Sequence, residues 1–149
     1  KARAYGEQAN LIAVADDGGF EIDALGGEPG VHSHRWLGYE TEDDEELINA
    51  VVERMKEVPP EKRSARIRSV LAIATPAGES WTFEETIEGI VPEKPSPNRI
   101  KGYPFRPVLF LPKFGKCFVD LTEEEHEKVN QKIRLVKRAL PVLQELFEI

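Results

Sequence analysis

The sequence predicts a single α/β domain over residues 1–149, with a mixed β-sheet flanked by helices. Two stretches, residues 64–75 and 80–90, alternate apolar and polar side chains with a period of two, which is typical of strands. Residues 43–58 carry apolar side chains at helical spacing. The length of 149 residues and the 40% content of hydrophobic residues fit one globular domain with a sizeable core.

The first part of the chain predicts a helix followed by short strands. Residues 1–8 resemble the end of a helix, and the apolar run at residues 11–15 suits a strand that is buried on both faces. The next four residues, 16–19, predict a tight polar turn. A second short strand is expected at residues 20–22, before a segment rich in turn residues at 24–31.

The middle of the chain predicts a helix, a hairpin and a buried strand. Acidic residues in the first turn stabilise the helix at 43–58, because the N-terminal end of a helix carries a partial positive charge. Pro59 ends this helix. The two alternating stretches form a long antiparallel hairpin around a turn at 76–78. A proline-rich loop at 91–99 and a buried strand at 108–111 follow.

The last part of the chain is predicted to be helical. Thr122 and Glu125 form a capping box that opens it. Pro141 either starts a terminal helix or kinks the existing one. We expect this region to pack against the core through an apolar stripe, which consists of Val129, Ile133, Val136 and Leu140.

Composition excludes several classes of protein. The net charge of -7 argues against a duplex DNA binder, which needs a basic face. A single cysteine, Cys117, leaves no internal disulfide, so we expect a reducing, cytoplasmic location. No apolar run approaches the roughly 20 residues that span a bilayer. The chain begins at Lys1 without an N-cap, which leads us to expect that an upstream segment is missing.

The segment Asp16-Asp17-Gly18-Gly19 is the strongest candidate for chemistry. Two carboxylates at the end of a strand can hold Mg²⁺ together with substrate phosphates, and two glycines let a phosphate approach the backbone. The alternative is a solvated hairpin turn, which the same residues favour about equally.

Other candidates have stronger structural explanations. His32 and His34 lack further metal ligands nearby and suit an exposed loop. Arg66 and Arg68 can meet a phosphate, although such residues more often form a solvated face. Cys117 is expected to be a small hydrophobic residue rather than a nucleophile. Residues 101–106 mix aromatic and cationic side chains, which suits either base stacking or packing.

Residues 15–31 resemble a signature of the inosine triphosphate pyrophosphatase family. They run Ala-Asp-Asp-Gly-Gly-Phe-Glu-Ile-Asp-Ala-Leu-Gly-Gly-Glu-Pro-Gly-Val. The family pattern is Ala-Asp-Asp-Ser-Gly-Leu-x-Val-Asp-Ala-Leu-x-Gly-x-Pro-Gly-Val, and the match has no gaps. The Ser-His-Arg-Trp that follows at 33–36 resembles the family's Ser-Ala-Arg-Tyr.

The resemblance implies an elongated α/β fold with a nucleotide cleft between two lobes. It also implies Mg²⁺-dependent hydrolysis of inosine, xanthosine and deoxyinosine triphosphates to a monophosphate and pyrophosphate, usually by a homodimer. Asp17 would be the general base and metal ligand, and Asp16 would support it. The implied substrate-binding residues are Gly18, Gly19, Tyr103, Phe105, Arg106, His126, Gln131 and Lys132.

The sequence also departs from the family pattern. Arg106 stands where the family has aspartate, His126 replaces a lysine, and Asn130-Gln131-Lys132 replaces Ser-His-Arg. The family's N-terminal strand and phosphate-gripping loop would lie before Lys1, so we expect the 149 residues alone to hydrolyse nucleotides poorly. The alternative function is a nucleotide-binding or interaction protein of the same family that has lost catalysis.

Overall fold

The computed structural model describes residues 1–148, and its strands and helices confirm the α/β class. The helices are α1 (Ala2–Ala9), α2 (Asp44–Arg54), α3 (Glu123–Lys128) and α4 (Gln131–Phe147). The strands are β1 (Ala13–Ile22), β2 (Glu28–Gly30), β3 (Ser64–Ala74), β4 (Ser80–Ile90), β5 (Phe110–Leu111) and β6 (Lys116–Cys117).

The strands described within residues 1–148 form one sheet in the order β2-β1-β3-β4-β5-β6. The pairs β1–β2, β4–β5 and β5–β6 are antiparallel. The predicted hairpin at 64–90 is confirmed as β3 and β4, which are neighbours in the sheet and are joined by the short turn at residues 75–79.

The chain divides into two compact units. Among the described residues, unit 1 contains residues 1–18, 68–86 and 130–148, and unit 2 contains residues 19–67 and 87–129. The strands β1, β3 and β4 contribute residues to both units. The predicted cleft between two lobes stays a prediction, as does the single-domain organisation.

The main hydrophobic core belongs to unit 2. It joins the end of β1, one face of α2 and the loop before β5. Its largest fully buried side chains include Phe20, Ile22, Leu47, Met55 and Leu109. Burying side chains of this size contributes roughly 1.5–3 kcal/mol each, so this core is the main source of stability in the unit.

The predicted turn at 16–19 is wrong, because these residues lie inside β1. Turn chemistry is a local preference, and it gives way here to pairing with the neighbouring strands. The expectation of a strand buried on both faces at 11–15 is also wrong. The strand begins at Ala13, and the side chains of Leu11 and Val14 are 66% and 54% exposed.

Other boundaries also differ from the predictions, since the helix predicted at 43–58 ends at Arg54. Of the predicted strand at 108–111, only Phe110–Leu111 pairs in the sheet, although Val108 and Leu109 are fully buried. The predicted helix that starts after Thr122 is interrupted. It ends at Lys128, and a new helix starts at Gln131 and includes Pro141 in its interior. The structure therefore places Pro141 inside α4 rather than at a helix start.

The predicted apolar stripe of the last helical region is also wrong in part. Ile133, Val136 and Leu140 lie on α4 and are about half exposed, whereas Leu135 and Ala139 are the buried residues of this helix. The break at Asn130 resets the helical phase, so a stripe counted continuously from Val129 does not match the buried face.

Candidate functional site

The carboxylates of Asp16 and Asp17 are both exposed on β1. Successive side chains of a strand point to opposite faces, so the two carboxylates leave β1 on opposite sides of the sheet. Asp16 shares its side with Lys132, whose Nζ lies 3.5 Å from Asp16 Oδ2. One Asp17 oxygen accepts the backbone N–H of Gly18 at 2.9 Å. The two aspartates therefore occupy different environments, unlike a pair in a turn.

Gly18 and Gly19 are required by the close approach of neighbouring backbone. A Cβ on Gly18 would lie 2.7 Å from the carbonyl oxygen of Arg68 in unit 1. A Cβ on Gly19 would lie 2.5 Å from the carbonyl carbon and oxygen of Gly30 in unit 2. Neither glycine has a positive φ, so the absence of a side chain, and not an unusual backbone conformation, explains both residues.

Gln131 and Lys132 lie in the first turn of α4, which Asn130 caps by accepting the N–H groups of Lys132 and Ile133. The buried amide of Gln131 accepts from Ser69 Oγ at 3.0 Å and donates to Glu85 O at 2.8 Å. Lys132 is exposed beside Asp16. Gln131 is thus bound to the strands of unit 1, and its role toward substrate stays a prediction.

In unit 2, a guanidinium group and three aromatic rings form a stacked cluster. The Arg106 guanidinium carbon lies 3.9 Å from the ring centre of Tyr103 and 4.9 Å from that of Phe118. The imidazole of His126 stacks on Phe118, with ring centres 5.3 Å apart and planes 1° from parallel. We call Tyr103, Arg106, Phe118 and His126 the aromatic–arginine cluster. It brings together three of the predicted substrate-binding residues.

The electrostatics of this cluster are unusual. Burial lowers the pKa of Arg106, and the nearby Tyr103 opposes that shift. Burial also lowers the pKa of His126, and the charge of Arg106 lowers it further. The Nε2 atom of His126 is buried and has no hydrogen-bond partner within residues 1–148. A neutral imidazole beside a cation is the expected state at neutral pH.

Phe105 lies in the core of unit 2. It is buried and stacks on Phe20, with ring centres 4.9 Å apart and planes 17° from parallel. Packing of this kind fixes the loop that carries Tyr103 and Arg106. The sequence identified Phe105 but not Phe118, whose only signal is an apolar residue shortly before the capping box.

The remaining candidates are explained by structural contacts. The Arg66 guanidinium lies between carboxylates of Glu21, Asp23 and Glu88, and its pKa is raised mainly by the hydrogen bond to Asp23. His34 Nδ1 is 3.0 Å from Thr41 O. Cys117 is buried, and burial raises the pKa of its thiol, as expected of a structural cysteine.

The acidic residues supply too few ligands to hold Mg²⁺ without a phosphorylated ligand. Within residues 1–148, no three His, Cys, Asp or Glu side chains come together as a metal-binding group. Mg²⁺ is commonly held by one or two carboxylates plus substrate phosphates, and an exposed carboxylate such as Asp17 is a suitable ligand. The donor set therefore fits an ion that arrives with a phosphorylated ligand. No helix of the part described could cross a bilayer.

These features define an α/β protein with one set of candidate residues on β1 and at the start of α4 in unit 1, and a second set in the aromatic–arginine cluster of unit 2. The model of the Ham1 family matches residues 1–142, and the chain belongs to that family.

Similar proteins support the same assignment. A dITP/XTP pyrophosphatase of Symbiobacterium thermophilum is 38% identical over 148 residues, which are 99% of this chain and 72% of that protein. A dITP/XTP pyrophosphatase of Bacillus subtilis is 34% identical over 144 residues, or 97% of this chain and 71% of that protein.

Solved structures share the fold. A HAM1 protein from Coxiella burnetii has a TM-score of 0.82 at 27% identity, covering 97% of this chain and 73% of that one. A nucleoside-triphosphatase described as a dITP/XTP pyrophosphatase from Mycobacterium abscessus has a TM-score of 0.80 at 32% identity, covering 95% of this chain and 71% of that one.

Proposed function

We propose that this protein is a hydrolase that converts purine nucleoside triphosphates such as ITP, XTP and dITP to a nucleoside monophosphate and pyrophosphate. Such an activity removes abnormal purines from the nucleotide pool. The observation that carries the proposal is the similarity, over 99% of the chain, to a protein named dITP/XTP pyrophosphatase. The exposed carboxylate of Asp17, next to two glycines in the matching signature, supports it.

In the proposed reaction, Asp17 accepts a proton from a water molecule while the water oxygen attacks phosphorus at the α–β phosphoanhydride. The bond from phosphorus to the bridging oxygen breaks, and its electron pair leaves with pyrophosphate. A positioned general base typically contributes about 10²–10⁴-fold to such a step. Mg²⁺, held by Asp17 and the substrate phosphates, would neutralise charge on the phosphates.

The test is release of pyrophosphate from XTP, dITP and ATP by the natural gene product, with and without Mg²⁺. Asp17→Asn should lower kcat by about 100-fold or more, because the proton acceptor is lost. Asp16→Asn is the matched change on the opposite face of β1 and should cost less than about tenfold, since an exposed ion pair contributes little.

Equal losses in the two variants would contradict the assignment of the base to Asp17. The proposed activity would be contradicted if the natural gene product released pyrophosphate from none of the three nucleotides. Activity that does not respond to removal of Mg²⁺ by a chelator would contradict the proposed metal.

The second candidate function is nucleotide binding without turnover. The observation that favours it is the exposed ring of Tyr103 beside the guanidinium of Arg106, because this pair suits stacking on a base and supplies no group that activates water. Binding of XTP or dITP without release of pyrophosphate would support this candidate.

We also propose a cytoplasmic homodimer. The nucleotide pool that such an enzyme would clean is cytoplasmic, and the exposed apolar residues of α4 (Ile133, Val136 and Leu140) support a protein contact on that helix. The molar mass measured by light scattering is expected to be twice that of one chain, and a monomer at micromolar concentration would contradict the dimer.

A further inference from the structure

Residues 97–103, which we call the Tyr103 loop, form an exposed segment of unit 2. The loop turns at Gly102, whose φ is 82°, and the chain becomes buried again at Pro104 and Phe105. Tyr103 therefore lies where the exposed loop meets the core. Its ring is 49% exposed, and the guanidinium of Arg106 lies against it.

The start of this loop is fixed by Asp120. One oxygen of the Asp120 carboxylate accepts from Ser96 Oγ at 2.9 Å and from Asn98 Nδ2 at 2.7 Å. The backbone N–H of Ser96 also donates to the carbonyl oxygen of Pro107 at 2.9 Å, which closes the segment at its base. These contacts reach only as far as Asn98, so residues 99–103 depend on other groups.

The rest of the loop is held by the first turn of α2. The backbone N–H of Gly102 donates to Asp44 Oδ2 at 2.7 Å. The Arg99 guanidinium pairs with the carboxylate of Glu45, with Nη2 3.4 Å from Oε2. Within residues 1–148, residues 99–103 make no other hydrogen bond or ion pair to a helix or strand.

Three consecutive acidic residues at this helix end have different contacts. Asp43 is the N-cap, and its carboxylate accepts the backbone N–H of Glu45 at 2.9 Å. Asp44 and Glu45 instead reach the Tyr103 loop. Helix capping therefore explains Asp43 but does not explain the contacts of the next two carboxylates. Because Tyr103 follows Gly102 directly, a hydrogen bond at Gly102 restrains the backbone that carries the Tyr103 ring.

We infer that Asp44 and Glu45 are positioning residues for nucleotide binding. They hold the Tyr103 loop in the conformation in which the Tyr103 ring is stacked against Arg106 and accessible to a flat base. This inference rests on the proposed function, because it concerns how that site binds its nucleotide.

The physical reason is preorganisation. A loop that is already ordered loses less conformational entropy when a ligand binds. A loop that adopts the binding conformation only part of the time lowers the apparent affinity by that fraction. The chemical step takes place at the phosphates, with which neither carboxylate is assigned a contact. Loss of either carboxylate should therefore raise KM and leave kcat unchanged.

The first test measures kcat and KM for XTP in the natural gene product and its variants. Asp44→Ala removes the acceptor of Gly102 and should raise KM about 2- to 10-fold, which corresponds to the net strength of one hydrogen bond. Asp44→Asn keeps an acceptor and should recover most of that loss. Glu45→Gln should raise KM less, because the pair with Arg99 is partly exposed to solvent.

Asp43→Ser is the matched control. It removes a negative charge from the same end of α2 and keeps an acceptor that can cap the helix. Its KM should equal that of the parent protein. A KM raised as much in Asp43→Ser as in Asp44→Ala would overturn the inference, because loss of charge would explain both. Thermal unfolding checks the fold of each variant, and Glu45→Gln provides the test where Asp44→Ala does not fold.

Amide hydrogen exchange without nucleotide tests the contact independently of the reaction. Asp44→Ala should speed exchange at residues 99–103, whereas Asp43→Ser should not. Unchanged exchange in Asp44→Ala would overturn the inference. So would an unchanged KM, or a lower kcat at constant KM.

Calorimetric binding of XTP separates this inference from the proposed reaction. If the natural gene product hydrolyses no triphosphate, the proposed function fails. Weaker binding of XTP by Asp44→Ala than by the parent protein, together with faster exchange, then still supports the positioning role. Equal binding by the two proteins, or no binding of XTP by either, would overturn it.

Discussion

At the scale of single residues, Gly18 and Gly19 show why a motif can be identified correctly for the wrong structural reason. Next to two aspartates they predict a turn, yet both lie in β1. Backbone atoms of Arg68 and Gly30 approach so closely that a Cβ on either glycine would lie within 3 Å of them. Only the folded neighbours, and not the local sequence, reveal that requirement.

We predict that Gly19→Ala destabilises the protein by about 1–3 kcal/mol, the usual cost of overpacking, because its Cβ would meet Gly30 backbone that has no flexible end to move. The measurement is the free energy of unfolding in urea. Gly26→Ala is the control. Gly26 has a φ of 67° with no atom within 4 Å of the added Cβ, so its substitution costs only the backbone conformation, about 1 kcal/mol. A smaller effect at Gly19 than at Gly26 would contradict the close approach.

At the scale of secondary-structure elements, the break between α3 and α4 is the main difference from the sequence prediction. The capping box of Thr122 and Glu125 is confirmed. The second start was not predicted, although Asn130 is a favoured N-cap residue, because the apolar residues on either side can be read as one stripe. The hairpin of β3 and β4 was predicted correctly because two long stretches of largely alternating residues flank a clear turn signal.

Asn130→Ala should destabilise the protein by about 1 kcal/mol, because the N–H groups of Lys132 and Ile133 lose their acceptor at 3.1 and 3.3 Å. Thermal and urea unfolding measure the change. Asn130→Asp keeps an acceptor at the helix start and should retain most of the stability. If alanine and aspartate variants were equally stable, α4 would not depend on this cap.

At the scale of the whole molecule, Arg63 is a structural centre of unit 2 that the sequence did not reveal. Its buried guanidinium donates to four carbonyl oxygens, at 2.7 Å to Met55 and Val91 and at 3.0 Å to Val58 and Pro92. These contacts join the end of α2 to the segment after β4. A charged group without a carboxylate is tolerated there because so many acceptors surround it.

Arg63→Met should therefore destabilise the protein by about 3 kcal/mol or more, since it leaves several buried carbonyl groups without donors. Arg63→Lys should recover only part of that loss, because a single ammonium group cannot reach acceptors on opposite sides. Arg35→Lys, at an exposed position, is the control for the change of residue type. Urea unfolding provides the comparison, and an Arg63→Lys variant as stable as the parent would contradict the role of the fork.

By itself, the sequence determined the α/β class, the hairpin, the capping box and the family, because periodicity, capping and an ungapped motif are local properties of the chain. The likeness to the family also pointed to Asp16 and Asp17 as site residues, and their role stays a prediction. The tertiary structure alone decided that these carboxylates lie on opposite faces of β1 and that Arg106 is held by Tyr103 and Phe118. Those facts depend on strand pairing and on contacts between residues distant in sequence, which no local pattern records.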